Sequence, residues 1–364
     1  MALFYDINSY KEEGFFCFMV SVDEQVLEQE KEIDIKVTKR VAKKNKDEKE
    51  PELIDLPGVG PGAVAKLEAA GIYDLMGVAV LTPPQLAETA GMGEAAARKA
   101  IQSARQMMNL GFSDGLEYMK KREEIGHITT GSKNLDNLLG GRGIETKAIT
   151  EAFGSFGSGK TQLALSLAVG VQLPFEKGGC SGKAVYIDTE GTFRPERIKQ
   201  FAEGIGANPE KVLKNILVAR AFNSDHQMLL LDKIADLIRD GEPIKLVVID
   251  SLTAHFRAEY SGRGQLADRQ QRLNRYLHNL HKVAEQFNLA VYVTNQVMAD
   301  PAQLFGDPTK AIGGNIVGHA CTFRMYIRRG KKDTRVVKLI DSPNLPDNET
   351  VFVIDTDGFK DVAV

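Results

Sequence analysis

The chain has 364 residues, enough for two or three domains. Its 46 Lys and Arg against 49 Asp and Glu give a formal net charge of -3, which excludes a uniformly basic, polyanion-coating protein and confines any nucleic-acid surface to a local patch. Cys17, Cys180 and Cys321 are too far apart in the sequence for a zinc-site pair, their odd number argues against a disulfide framework, and no apolar run reaches the about 18 residues of a membrane span. A soluble, cytoplasmic protein is expected.

Residues 1–52 are expected to be a disordered arm or a mis-annotated extension. Acids at Asp23, Glu24, Glu28, Glu30, Glu32 and Asp34 precede Lys39, Arg40, Lys43, Lys44, Lys46 and Lys49, with too few apolar residues for a core. The segment before Met19 is aromatic and uncharged in patches, so it is either an over-extended start or a peripheral segment.

Over 53–110 small and apolar residues recur at helical spacing, broken by the turns Pro57-Gly58-Val59-Gly60, Ala70-Gly71 and Gly91-Met92-Gly93, which predicts a small all-α domain. Residues 111–124 form a charged linker. From 125 to 364 short apolar runs alternate with amphipathic segments, the pattern of an α/β domain with a mostly parallel, twisted sheet. Strands are predicted at Ala148–Ala152, Ala184–Asp188, Leu246–Asp250, Ala290–Thr294 and Thr322–Ile327. A long helix is predicted over Leu266–Phe287, with Leu266, Leu273, Leu277, Leu280, Ala284 and Phe287 on one stripe. His278 and His281 share that helix, but with no third ligand evident they read as packing or surface residues.

Gly154-Ser155-Phe156-Gly157-Ser158-Gly159-Lys160-Thr161 matches the phosphate loop G-x-x-x-x-G-K-[ST], placed between an apolar run and a helix pattern that opens near Gln162. Glycines turn backbone N–H groups toward phosphates, Lys160 neutralises charge, and the Thr161 hydroxyl suits Mg²⁺. Asp250 ends a buried strand and supplies the second carboxylate for that metal. Glu190, in Asp188-Thr189-Glu190-Gly191, stands where it can orient or deprotonate an attacking water; a turn residue or helix cap is the alternative. Asn295-Gln296 ends another strand, where an amide can bond a terminal phosphate and lose that bond on hydrolysis.

Leu56-Pro57-Gly58-Val59-Gly60-Pro61 resembles a helix-hairpin-helix turn, in which Gly58 and Gly60 aim N–H groups at a DNA phosphate, and Gly91-Met92-Gly93 is a weaker copy. An αα turn used only for packing is the alternative. Arg257, Arg263 and Arg269 are read as loop arginines that follow a phosphate chain, or else as a solvated rim.

Gly157-Ser158-Gly159-Lys160-Thr161-Gln162, Tyr186 to Arg194, His255 to Tyr260, Thr294-Asn295-Gln296-Val297 and Gly313-Gly314-Asn315 together resemble the archaeal RadA recombinases, relatives of bacterial RecA and of the eukaryotic strand-exchange recombinases. The resemblance begins near Leu53. It implies a RecA-like ATPase core preceded by a helix-hairpin-helix domain, polymerising as a filament on single-stranded DNA, with rings as a DNA-free assembly. It implies ATP and Mg²⁺ as cofactors, single- and double-stranded DNA as partners, accessory recombination proteins, and pairing and strand exchange in DNA repair.

By the same resemblance Lys160, Glu190 and Gln296 act on the γ-phosphate and Arg197 stacks on adenine. Asp341 caps the nucleotide of an adjacent subunit. The segments 257–265 and 298–319, the second carrying Phe305, Gly313, Gly314 and Asn315, become DNA-binding loops. The linker Phe112 docks into the next subunit, with Gly115 where the family has Ala. A regulatory recombinase paralogue and a RecA-fold hexameric helicase or translocase are the competing readings.

Overall fold

The computed structural model describes residues 51–108, 112–299 and 309–362, so the expected N-terminal arm falls, up to residue 50, outside the described residues, as does Phe305. The chain divides into two compact units, one ending at Asp114 and one beginning at Gly115.

The first unit is helical, with α1 (Pro61–Ala69), α2 (Leu75–Ala79), α3 (Pro83–Ala90) and α4 (Glu94–Met107). Local chemistry sets these boundaries. Proline occupies the first turn of α1 and α3, where its missing N–H costs nothing, and Asp74 caps α2 by accepting from the Gly77 amide at 2.7 Å. Gly58 takes φ +82°, a value that a side chain disfavours, and so turns the chain into α1. Leu53, Leu56, Val59, Leu67, Val78, Leu86 and Ile101 pack together as the core, and Arg105 Nε donates to the Ala79 carbonyl at 2.8 Å.

The second unit opens with α5 (Gly115–Arg122), a helix inside what the sequence presents as a charged linker. After β1 (His127–Ile128), α6 (Lys133–Leu138) and β2 (Ile144–Glu145) come β3 (Ile149–Phe153), α7 (Lys160–Gly170), β4 (Lys183–Asp188), α8 (Pro195–Gly204), α9 (Pro209–Lys214), β5 (Ile216–Arg220), α10 (Ser224–Arg239) and β6 (Ile244–Asp250). Then follow α11 (Ala254–Glu259), α12 (Leu266–Gln286), β7 (Ala290–Asn295), the pair β8 (Val297–Ala299) and β9 (Thr309–Ala311), α13 (Gly314–Ala320), β10 (Phe323–Arg329), β11 (Thr334–Asp341), β12 (Glu349–Asp355) and β13 (Gly358–Asp361).

Nine strands form one sheet in the order β13-β12-β11-β10-β3-β7-β6-β4-β5. Pairings from β10 to β5 are parallel, and those from β10 to β13 are antiparallel. Alternation along each strand divides the core. Ala152, Tyr186, Val248 and Tyr292 face Leu163, Leu167, Ile198 and Phe201, whereas Ile149, Ile187, Val247 and Val291 face Leu231, Ile234, Leu273 and Leu277.

Each of the five strands predicted has a counterpart, shifted by a residue or two. The sequence reading missed β5 and β11 to β13. These are alternating or edge strands, half-exposed and carrying Arg335 and Lys338, and so lack a continuous apolar run. On α12 the stripe holds at Leu273, Leu277, Leu280 and Ala284, but Leu266 is half-exposed because it opens the helix at its free end. Among the described residues no helix is long and apolar enough to cross a membrane.

Leu86 is fully buried in the small helical unit, where little other core can compensate. Leu86→Ala should cost about 2–5 kcal/mol. Calorimetry should show the small unit's transition moving down while the larger unit's stays in place; an unmoved first transition would show that the cavity collapses without cost.

Candidate functional site

The carboxyl ends of β3, β4, β6 and β7 open onto a cavity of about 750 Å³, lined by the phosphate loop from Gly154 to Gln162 together with Glu190, Thr192, Asp250, Ser251, Thr294, Gln296 and Arg335. The loop leads from β3 into the N-terminus of α7, where unpaired N–H groups and the helix dipole favour an anion. Gly159, at φ +112°, caps α7, and a Cβ built there would lie 2.8 Å from Ile354 Cδ1. Ile354 Cδ1 ends a flexible side chain and can give way, so it is the left-handed backbone at Gly159 that disfavours a side chain there. Phe156 projects from the loop into solvent.

Lys160 Nζ donates to the carbonyls of Gly154 at 2.8 Å and Ser155 at 3.0 Å. Burial lowers its pKa from the ordinary lysine value, and the Asp250 and Glu190 carboxylates oppose that shift. Asp250 accepts from the hydroxyls of Tyr186 at 2.7 Å and Thr192 at 3.2 Å, and also from Thr294. Burial, and then the charge of Asp250, push the Tyr186 phenol well above its usual range, so it remains a donor. Glu190 is exposed to the cavity, and its Oε1 accepts from Ser251 Oγ at 2.9 Å and from Gln296 Nε2 at 2.8 Å.

Three contributors escaped the sequence reading. Asp188 accepts from the backbone N–H groups of Glu190, Gly191, Thr192 and Phe193 at 2.6–3.2 Å and thereby builds the turn that carries Glu190. Arg335 of β11 lines the cavity; its Nη1 donates to the Asp333 and Thr334 carbonyls, and among the described residues its buried Nε finds no hydrogen-bond partner, as suits a group awaiting an anion. Arg329 Nε donates to the Gly157 carbonyl at 3.2 Å. The basic cluster Arg328-Arg329-Gly330-Lys331-Lys332 is the available signal for Arg329, and Arg335 follows it three residues later.

The donor set fits a nucleoside triphosphate with Mg²⁺. Thr161 and Asp250 line the same cavity, and both Asp250 oxygens are already engaged by hydroxyls, which suits a carboxylate standing behind the metal rather than ligating it directly.

Other expected site residues lie elsewhere. Arg197 reaches this cavity only through Gln162, which accepts from its Nε at 2.7 Å; its other nitrogens bond Gln200 and the Asp355 and Thr356 carbonyls, and its guanidinium lies 4.1 Å over the Phe201 ring. Asp341 belongs to a separate cavity of about 600 Å³ with Lys310, Gly314, Asn315 and His319. Arg257 and Arg269 lie on α11 and α12 rather than in a loop, because helix runs through the segment on either side of one 3-10 turn, Arg263–Gln265. Gly313 caps α13 at φ +101°. His281 sets a ring nitrogen against the Ala320 carbonyl. Gly60 caps α1 in extended conformation. Phe112 is exposed, and among the described residues a Cβ built on Gly115 meets no atom within 4 Å.

The Rad51 family description matches residues 121–362, and the SAM-like helix-hairpin-helix tandem matches residues 50–106. The DNA repair and recombination protein RadA of Aeropyrum pernix is 50% identical over 310 residues, spanning 85% of this chain and 97% of that protein.

Because a side chain at position 159 must adopt a left-handed backbone, Gly159→Ala carries a strain of about 1–2 kcal/mol that the loop can relieve only by moving. Affinity for a fluorescent ATP analogue should fall about tenfold with the melting temperature nearly unchanged. Unaltered affinity would show that bare backbone at Gly159 is not needed.

Proposed function

The chain belongs to the Rad51 family, and from that premise we propose that it is a DNA-dependent ATPase that assembles on single-stranded DNA and catalyses homologous pairing and strand exchange in DNA repair. The observation that carries this reading is the 2.8 Å bond from Gln296 to Glu190. One amide touches the carboxylate facing the phosphate cradle, and its own backbone opens the segment that leads to Gly313, Gly314 and Asn315. A group so placed registers whether a γ-phosphate is there.

Lys160, the α7 N-terminus and Arg335 bind the triphosphate. Thr161, with Asp250 behind it, would hold Mg²⁺, which would supply charge neutralisation to the bound phosphates. Glu190, oriented by Ser251 and Gln296, accepts the proton of the attacking water. Gln296 transfers its hydrogen bond between Glu190 and the terminal phosphate, so that bound ATP favours one arrangement of the DNA-contacting segments and hydrolysis releases it. Arg257, Arg263 and Arg269 on one segment and Gly313 to Asn315 on the other contact the DNA backbone, and the Gly58–Gly60 turn adds a sequence-independent phosphate contact. Such a protein works on the chromosome in the cytoplasm.

Lys160→Ala should abolish ATP hydrolysis and most nucleotide affinity, whereas Glu190→Gln should bind ATP normally and turn it over at least about a hundredfold more slowly. A joint-molecule assay with homologous single- and double-stranded DNA tests the function itself. Absence of joint molecules from the unaltered protein with ATP and Mg²⁺ would leave a regulatory paralogue or a translocase instead.

Assembly is read from Phe112. An exposed aromatic ring beside a charged segment is best explained as an anchor for another subunit, burial of which is worth roughly 2–3 kcal/mol. Phe112→Glu should shift light-scattering mass toward smaller species at matched concentration and leave the fold intact; an unchanged distribution would sink the anchor.

A further inference from the structure

A second polar cluster lies inside the sheet, behind the nucleotide cavity. Glu151, in the middle of β3, has a fully buried side chain. Its Oε2 accepts from Arg324 Nε of β10 at 2.7 Å, and its Oε1 accepts from Asn295 Nδ2 of β7 at 2.7 Å. Asn295 Nδ2 also donates to the Ile312 carbonyl at 2.6 Å, while its Oδ1 accepts from Thr253 Oγ1 at 2.8 Å and from the Gln296 backbone amide at 2.9 Å. Ile312 in turn donates its own amide to the Gln296 carbonyl at 3.0 Å.

These partners share a position in the chain. Thr253 directly precedes α11, which carries Arg257, and Ile312 directly precedes Gly313, Gly314 and Asn315. Gln296 holds Glu190. Asn295 therefore joins the roots of both proposed DNA-contacting segments to the residue that reads the nucleotide.

An ion pair is a poor device for mere stability here, since apolar residues of similar volume commonly serve as well in a protein interior. A carboxylate does one thing that they cannot. It only accepts hydrogen bonds, so the Asn295 NH₂ must face Glu151 and Ile312, and the Asn295 oxygen is left for Thr253 and Gln296. A glutamine at 151 can turn a donor toward Asn295 instead, allowing that amide to reverse and lose the Ile312 and Gln296 bonds together.

We propose that Glu151 and Arg324 are positioning residues that lock the Asn295 amide in one orientation, so that displacement of Gln296 by the nucleotide reaches both DNA-contacting segments at once. This inference rests on the proposed ATP-switched DNA binding. Arg324 supplies the compensating charge, and its guanidinium lies 5.3 Å over the Phe153 ring at the end of β3.

The test is the ratio of single-stranded DNA affinities measured with and without a non-hydrolysable ATP analogue, in the full chain. Glu151→Gln should reduce that ratio about tenfold, within the usual range of coupling between sites, while DNA-free affinity for the analogue changes less than about twofold. A purely structural role would weaken DNA binding equally in both conditions and leave the ratio intact, which overturns the inference. Thr253→Val, which removes one donor to Asn295 without changing shape, should reduce the ratio about threefold. It decides the matter should Glu151→Gln fail to fold, and an unchanged ratio in it counts against the lock. Should the unaltered protein show no effect of the analogue on DNA affinity, the ATP-switch reading falls and the inference with it.

Discussion

Parallel strands must all present their carboxyl ends at one edge, and the functional half of this molecule depends on that constraint. With Asp188 opposite Asp250 and Phe153 opposite Asn295 in register, the phosphate loop, the Glu190 turn and Gln296 converge because the strands beneath them cannot end elsewhere. The convergence has a cost. Glu151 lies just inside the end of β3, Asp188 and Asp250 end the adjacent strands β4 and β6, and Glu190 follows β4 by two residues; uncompensated carboxylates in a low-dielectric interior repel strongly.

The structure resolves that crowding by giving each acid a different partner type. Asp188 is absorbed by backbone N–H groups and by Arg220 at 3.3 Å, Asp250 by hydroxyls, and Glu151 by Arg324 and an amide. Glu190 alone of the four is exposed, held by one hydroxyl and one amide that can both let go. Of these four acids, Glu190 is thus the one whose partners are free to exchange. The other three are fixed.

How much of this was legible in the sequence follows the same division. Lys160 closes the G-x-x-x-x-G-K-T match, and Glu190, Asp250 and Gln296 stand at or just past the ends of buried apolar runs, patterns that are visible without coordinates; the four share one cavity. Asp188 was visible but its task was not, because capping four successive amides is a property of a turn geometry rather than of a residue type. Glu151 sits in an apolar run and gives no outward sign of function. Arg257 and Arg269 are grouped in the sequence with Arg263, which Gly262 and Gly264 flank, although the helix predicted from Leu266 already covers Arg269; helix runs through both positions. Asp341 lies apart from the phosphate cradle, in the cavity that Lys310 and Asn315 also line.

Of the antiparallel edge, β10 to β13, only β10 is legible in the sequence, and this edge supplies what the parallel part lacks. A parallel sheet that gathers carboxylates at its edge has few places for the cations that a triphosphate needs beyond Lys160. The β10–β11 hairpin carries them in from the side: Arg329 reaches the phosphate loop at Gly157, Arg335 enters the cavity wall, and Arg324 neutralises the carboxylate buried in β3. Strand pairing therefore does electrostatic work, since β10 is held parallel to β3 while turning back antiparallel to β11. The register that pairs Arg324 with Glu151 places Arg329 beside the phosphate loop five residues later, so one strand reaches both the Glu151–Asn295 cluster and the phosphate loop.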